Sequence, residues 1–245
     1  MSDPRQFVRI IEQFQQYLRW QQAHGCRGMD CSADTRRILS AWEHPRTASP
    51  PAAPDPAAGA GRESLEQIRQ DLGACKRCRL QAGRTNIVFG AGHPQARLLF
   101  VGEAPGFNED RQGEPFVGQA GQLLTRIIDA MQLTREQVYL CNVLKCRPPQ
   151  NRNPKPDEIA ACKPFLQRQI KSIQPEFICA LGSFAARTLL KSDLSISRLR
   201  GRFHDYQGIP LMPTFHPSYL LHNPGQKRPV WEDMQMIMTA LGISK

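Results

Sequence analysis

The stretch from Leu98 to Leu124, LLFVGEAPGFNEDRQGEPFVGQAGQLL, constrains what this chain can fold into more than any other. It opens with an apolar run too short for an ordinary helix, passes through GEAPG, and regains helical character after Gly118. That pattern describes a buried strand that delivers a loop and then a helix. In an open α/β sheet, ligands gather at the carboxyl ends of the strands, which puts Glu103, Asn108, Glu109, Asp110 and Phe116 on one rim. The economical reading is a binding site.

The remaining elements follow the same alternation. Ser64 begins a helix running through Leu65, Ile68 and Leu72, and this helix leads into Cys75-Lys-Arg-Cys78. Gln119 to Met131 carries Leu123, Leu124, Ile127 and Ile128 as a core-facing helix. Val138 to Val143 reads as a second strand, with Asn142 at its end, and runs into the Pro-rich, basic loop LKCRPPQNRNPKP. Pro156 to Ile173 reads as a helix whose early Asp157 and Glu158 and late Lys171 suit the macrodipole. Phe177 to Leu181 and Pro210 to Phe215 supply two more strands, separated by a helix around Phe184 to Leu190 and the basic segment SRLRGRF. Val230 to Leu241 is the last helix. Strands alternating with helices call for parallel pairing and right-handed crossovers. The expected fold is therefore α/β, a three-layer α/β/α sandwich around a central four-stranded parallel sheet.

Ahead of this domain, Phe7, Ile10, Ile11, Phe14 and Leu18 fall on one face of an amphipathic helix from Pro4 to Gln22. A second short helix is expected around Arg36 to Trp42. The first helix either packs on the second or docks a protein partner. Residues 44–62, with PRTASPPAAPDPAAGAG at their heart, have almost nothing to bury and read as a semi-extended linker. The division is a helical extension over residues 1–43, this linker, and a main domain over residues 63–245.

A formal net charge of +10 on 245 residues favours a polyanionic partner, with nucleic acid the first candidate. No run of about twenty apolar residues occurs, and the amino terminus lacks the basic-then-apolar pattern of a secretory leader. A cytoplasmic protein without a membrane partner is expected. In that reducing setting, eight cysteines are unsuited to a disulfide framework and are better read as metal ligands or buried thiols. Cys75 and Cys78 form a C-x2-C turn, and Cys146 and Cys162 follow downstream. Four thiolates so arranged suit either tetrahedral zinc or an iron-sulfur cubane, and spacing does not choose. Cys141 and Cys179 lie inside predicted strands, while Cys26 and Cys31 have no ligand-like neighbours.

Taken together, GEAPGFNEDRQGEPFVGQAGQLL, CNVLKCRPPQNRNP, the four cysteines and HPSYLL resemble the family 4 uracil-DNA glycosylases, the iron-sulfur branch of that superfamily. The resemblance covers about Leu65 to Leu241 in order and leaves the first sixty residues outside. It implies a [4Fe-4S] cluster on Cys75, Cys78, Cys146 and Cys162, and a uracil pocket built from Gly102, Glu103, Phe116, Asn142 and His216. The implied activity is hydrolysis of the N-glycosidic bond of a flipped-out deoxyuridine by a monomeric enzyme acting on nucleoid DNA. Where other branches carry a water-orienting Asp and a thymine-blocking Tyr, this chain has Ala104 and Gly106. The His-containing loop of a DNA-crosslinking branch is absent between Lys145 and Lys155.

Within that frame each residue acquires a role. Phe116 stacks on the base, Asn142 reads its edge, and His216 donates to O2 as charge develops there. Glu103, with Glu109 as second candidate, orients water and supports the cationic sugar. Leu220 is the wedge that fills the vacated stack. Lys145, Arg147 and Arg152 after the second strand, and Arg198, Arg200 and Arg202 before the fourth, supply cations for the DNA backbone. The competing expectation is a non-enzymatic, zinc-stabilised nucleic-acid-binding module.

Overall fold

A computed structural model describes residues 62–243, so the expected N-terminal helices and linker lie outside the described residues. The chain divides between Ala60 and Gly61, and the second unit holds every element considered below. In order these are α1 (Leu65–Leu72), β1 (Ala91–Gly92), β2 (Leu98–Gly102), α2 (Phe107–Gln112), α3 (Gln119–Ala130), β3 (Tyr139–Asn142), α4 (Pro156–Ile173) and β4 (Phe177–Leu181). Then come α5 (Gly182–Leu190), α6 (Ile196–Leu199), β5 (His204–Tyr206), β6 (Ile209–Thr214), α7 (Pro217–His222) and α8 (Lys227–Leu241). Among the described residues, no helix is long and apolar enough to cross a membrane.

One six-stranded sheet runs in the order β1-β3-β2-β4-β6-β5. Its four central strands are parallel, as expected from the alternation of strands and helices. Two short antiparallel strands not anticipated from sequence flank them, β1 against β3 and β5 against β6. β1 has only two residues, too few for a pattern of alternation to register. β5 and β6 form a hairpin through Gln207 and Gly208, both at positive φ, with the Gly208 N–H donating to Asp205 Oδ1 at 3.1 Å. Two positive φ values are what a tight hairpin turn demands, and the Gln-Gly dipeptide was its one sequence signal.

β2 is buried at every position because both faces of the sheet are covered. Leu98 and Phe100 pack on one side with Leu124 and Ile128 of α3 and Val230, Met234 and Ile237 of α8. Leu99 and Val101 pack on the other with Leu166 and Ile170 of α4 and Ala185 of α5. This alternation makes the three layers. Cys141 and Cys179 are fully buried, one on each side.

Helix starts follow local chemistry. The Ser64 hydroxyl accepts from Gln67 N while the Ser64 N–H donates to Gln67 Oε1, a reciprocal cap for α1. At α4, Pro156 occupies the first turn and the buried Glu158 accepts from Lys155 N at 2.9 Å.

The topology also locates the site. β2 connects to β3 on one side, and the chain then crosses to β4 on the other. The loops leaving β2 and β4 therefore diverge at the carboxyl edge, which opens a crevice at this switch point.

Candidate active site

A cavity of about 430 Å³ occupies that crevice. Glu103 to Gly106 after β2, Asn142 at the end of β3, Gly182 and Ser183 after β4 and His216 after β6 all line it, with Phe116 as a wall. Parallel register sets Gly102 directly beside Asn142. A Cβ on Gly102 would overlap Asn142 Oδ1 and Phe116 Cζ, so Gly102 serves as the floor on which both side chains close.

Asn142 is 2% exposed, and its Oδ1 has no hydrogen-bond partner. A buried polar atom left unpaired costs about 1–3 kcal/mol, and this one belongs to a residue lining the cavity, where a ligand can supply the missing partner.

Phe116 is buried at φ 56, a left-handed conformation that a bulky residue reaches only under constraint. Arg135 supplies that constraint. Its guanidinium donates to Phe116 O at 3.0 Å, Pro115 O at 2.8 Å and Thr125 Oγ1 at 3.1 Å. Burial among these acceptors pushes the arginine below its ordinary pKa. Gly121 completes the arrangement, because a Cβ there would overlap the Phe116 carbonyl group. Sequence reasoning gave Arg135 no role.

The two glutamates of the loop diverge in role. Glu109 Oε1 accepts from Val117 N and Gly118 N, both at 2.8 Å, and Oε2 accepts from Gly106 N at 3.1 Å. It lines the cavity too, but its oxygens brace the loop upon itself. Asp110 works similarly, accepting from Thr85 N and Asn86 N. Glu103 faces the cavity with no hydrogen-bond partner for its carboxylate among the described residues, and burial raises its pKa to about 7.

His216 lies beside the close turn at Gly182, whose φ is +86. Its Nδ1 accepts from Ser218 N at 3.2 Å, and Ser218 Oγ lies 2.7 Å away. A ring nitrogen that accepts from a backbone N–H carries no proton, so the proton of the neutral ring sits on Nε2. Burial lowers the pKa to about 4, against a smaller upward pull from Glu109. Across neutral pH the ring is an uncharged donor. Its centroid is 6.2 Å from that of Phe116.

Several sequence expectations are corrected by burial. Leu220 is 1% exposed and sits in the core beside α3 and α8, so it presents no wedge; Tyr219 and Leu221 are the exposed large apolar side chains of α7. Lys145 is fully buried, its Nζ donating to Asn142 O at 2.8 Å, and it braces the end of β3 from behind instead of meeting phosphate. Arg200 is committed to Asp233 at 2.8 and 3.0 Å, pinning α6 to α8. Arg152 lines the cavity but is engaged bidentately by Glu158 at 2.6 and 2.9 Å. Arg147 is partly exposed, its Nε donating to Asn151 Oδ1 at 2.7 Å. Arg198 and Arg202 are exposed.

The four cysteines lie in a basic setting. Arg84 donates to Cys146 Sγ at 3.3 Å and to Cys75 O at 2.8 Å, tying the C-x2-C turn to the loop after β3. Arg77 Nη1 is 3.7 Å from Cys75 Sγ, and Lys145 N donates to Cys162 Sγ at 3.2 Å. Cys146 feels the charges of Cys75 and Cys78, and Cys162 those of Cys78 and Cys146, so the four sulfurs share one neighbourhood. Burial drives the Cys162 thiol up to about 11, with Lys145 opposing. A buried ammonium with one carbonyl partner and two guanidinium N–H···S contacts fit an anionic group held by thiolates. Among the described residues, no three His, Cys, Asp or Glu side chains close on a single ion.

The doubly covered sheet, the crevice at its switch point and the buried amide within it agree with a match of the Uracil DNA glycosylase superfamily model to residues 89–235, and the chain belongs to that superfamily. Within it, the similarity is to the type-4 branch. The chain is 44% identical over 184 residues to the type-4 uracil-DNA glycosylase of Sulfurisphaera tokodaii, spanning 71% of this chain and 84% of that protein. It is 46% identical to that of Thermotoga maritima over 71% of this chain and 92% of the relative. A type-5 enzyme of Thermus thermophilus is 32% identical over 51% of this chain and 71% of its own length.

The close packing over Gly102 sets a first test. Gly102→Ala forces the Asn142 amide or the Phe116 ring aside and should cost about 1–3 kcal/mol of stability. Gly83→Ala, where nothing lies within 4 Å, is the control. Thermal unfolding should show the midpoint falling in the first variant and holding in the second.

Proposed function

We propose that this chain is a uracil-DNA glycosylase that hydrolyses the N-glycosidic bond of an extruded deoxyuridine, releasing uracil and leaving an abasic site for repair. The unpartnered Oδ1 of Asn142 is the observation that carries this reading, since it calls for a planar ligand with a hydrogen-bond donor. Uracil offers a donor at N3 beside an acceptor at O4, which a fixed amide meets with its C=O and NH2. Cytosine presents the reverse pattern and leaves like facing like.

A base inside a duplex is out of reach, so the nucleotide must leave the stack at a cost of a few kcal/mol. Phe116, held rigid by Arg135, gives the base a wall to stack on. Bond cleavage builds positive charge on the sugar and negative charge on the departing base. His216 Nε2–H, neutral and fixed in its tautomer, donates toward O2 as that negative charge grows. Glu103 as carboxylate orients water and supports the sugar cation. Glu109 keeps the loop in shape around both.

The resemblance to type-4 relatives, together with the basic setting of the sulfurs, supports Cys75, Cys78, Cys146 and Cys162 as holders of a [4Fe-4S] cluster. Bound there, the cluster supplies a crosslink between the segment after α1 and the loop between β3 and α4, a role that hydrolysis does not require to be redox-active. The zinc-stabilised binding module leaves Asn142, Glu103 and the fixed His216 tautomer without a purpose.

Incubation with a uracil-containing oligonucleotide followed by alkali tests the reaction class, with strand scission at uracil expected. Asn142→Asp should lose most of that activity in single-turnover assays, because a carboxylate repels O4. Wild-type rates in this variant would remove Asn142 from base reading.

The pH dependence follows from Glu103. With its pKa raised to about 7, the carboxylate form grows as pH rises through 7, so excision should climb across that window. His216 stays neutral from about pH 5 upward and adds no ionisation there. Glu103→Gln should flatten the profile and lower the rate on the order of 10²-fold.

Cys146→Ala should lower stability and activity together, because binding energy for a group absent from the unfolded chain is folding energy. Iron content, thermal midpoint and excision measured on one preparation check this, and they should fall in step.

A further inference from the structure

Outside the cavity, the surface feature that the mechanism leaves unused is Phe107. It opens α2 directly after Gly106, a lining residue, yet its ring is 51% exposed. Single exposed apolar side chains are ordinary, so exposure alone carries no argument. Placement carries more. Five large apolar side chains are exposed among the described residues, and three of them, Phe107, Tyr219 and Leu221, sit on the segments that form the cavity mouth. Phe107 directly follows the lining Gly106, and Tyr219 directly follows the lining Ser218 on α7, which also carries Leu221.

Two guanidinium groups converge on the ring. Arg147, from the loop after β3, lies with its Cζ 5.0 Å from the ring centroid, and Arg111, one turn along α2, at 5.8 Å. Arg147 is in turn held by Asn151, itself a lining residue. The aromatic and its cations thus bridge two lips of the cavity, one after β2 and one after β3. Nucleic-acid strands are bound by this combination, in which π-faces or guanidinium planes take bases and positive charge takes the backbone.

We propose that Phe107, together with Arg147 and Arg111, forms a stacking step for the unpaired nucleobase next to the extruded nucleotide, so that the enzyme grips the single strand on one side of its pocket mouth. This rests on the glycosylase reading above and deepens it. Extruding a nucleotide leaves its neighbour with one bare face, and a ring at the rim offers that face a partner without regard to base identity, since every base has one. The step therefore favours uracil in single-stranded or locally opened DNA and imposes little sequence preference.

The test uses the full-length protein and single-stranded oligonucleotides carrying an uncleavable 2′-fluorinated deoxyuridine, with binding read by fluorescence anisotropy. Three oligonucleotides are compared, one with normal neighbours, one with a tetrahydrofuran abasic residue 5′ to the uracil and one with it 3′. Phe107→Ala should weaken binding to the first by about tenfold, the size of one lost stacking contact. On one of the two abasic oligonucleotides the wild type should weaken comparably and the substitution should then cost nothing more. Phe107→Trp should bind at least as tightly as the wild type. A loss of equal size on all three oligonucleotides, or no loss on any, overturns the proposal. Wild-type excision of uracil from the cleavable oligonucleotide is scored separately, so a failure of the glycosylase reading is seen independently of a failure of the stacking step.

Discussion

Parallel pairing of β2 with β3 is the constraint on which the site depends, because its register brings Gly102 and Asn142 side by side at the carboxyl edge of the sheet. The ladder continues past the strand ends, with Val143 N donating to Gly102 O at 2.9 Å and Leu144 N to Glu103 O at 3.0 Å. Both loops therefore leave the sheet from a backbone that is already fixed. Glycine at 102 lets the amide and the Phe116 ring close over it, and the closure leaves an acceptor dry and unpaired. Register, the missing side chain and the orphaned oxygen form one arrangement, and a slip of the pairing would dissolve all three.

Cations do much of the internal bracing in this basic chain. Arg135 fixes the strained Phe116, Lys145 supports the end of β3, Arg84 ties Cys75 to Cys146, and Arg200 joins α6 to α8. Such groups bind backbone carbonyls, sulfurs or buried carboxylates instead of solvent. Net charge thus overstates the charge available to a polyanion. Arg147 and Arg111 gather instead at an exposed aromatic ring.

The two carboxylates of the loop show how environment assigns different work to one side-chain type. Glu109 meets three backbone N–H groups and is spent on loop shape. Glu103, six residues earlier, meets none, and desolvation raises its pKa toward neutrality. His216 is moved the opposite way by the same desolvation, since for imidazole the charged form is the protonated one. The cavity therefore holds an ionisable acid near pH 7 beside a neutral donor, which suits a reaction that separates charge at neutral pH.

Local pattern was enough for the strand-loop-helix around GEAPG, the bounds of α4 and β4, the buried thiols Cys141 and Cys179, and the place of Glu103 and Phe116 at one rim, while the full set with Gly102, Asn142 and His216 came from the family resemblance. Period, caps and turn residues are properties of neighbouring positions, and a short motif carries its own chemistry wherever it is placed. The edge strand β1, the burial of Lys145 and Leu220, the withdrawal of Arg200 and the clamp by Arg135 were decided only when distant segments met. Whether a lysine points at phosphate or at a carbonyl depends on what packs above it, and a leucine in HPSYLL has the same composition as wedge or as core. By itself the sequence determined which groups reach the rim. The tertiary structure decided which of them remain unpaired there, because pairing depends on partners that lie far along the chain.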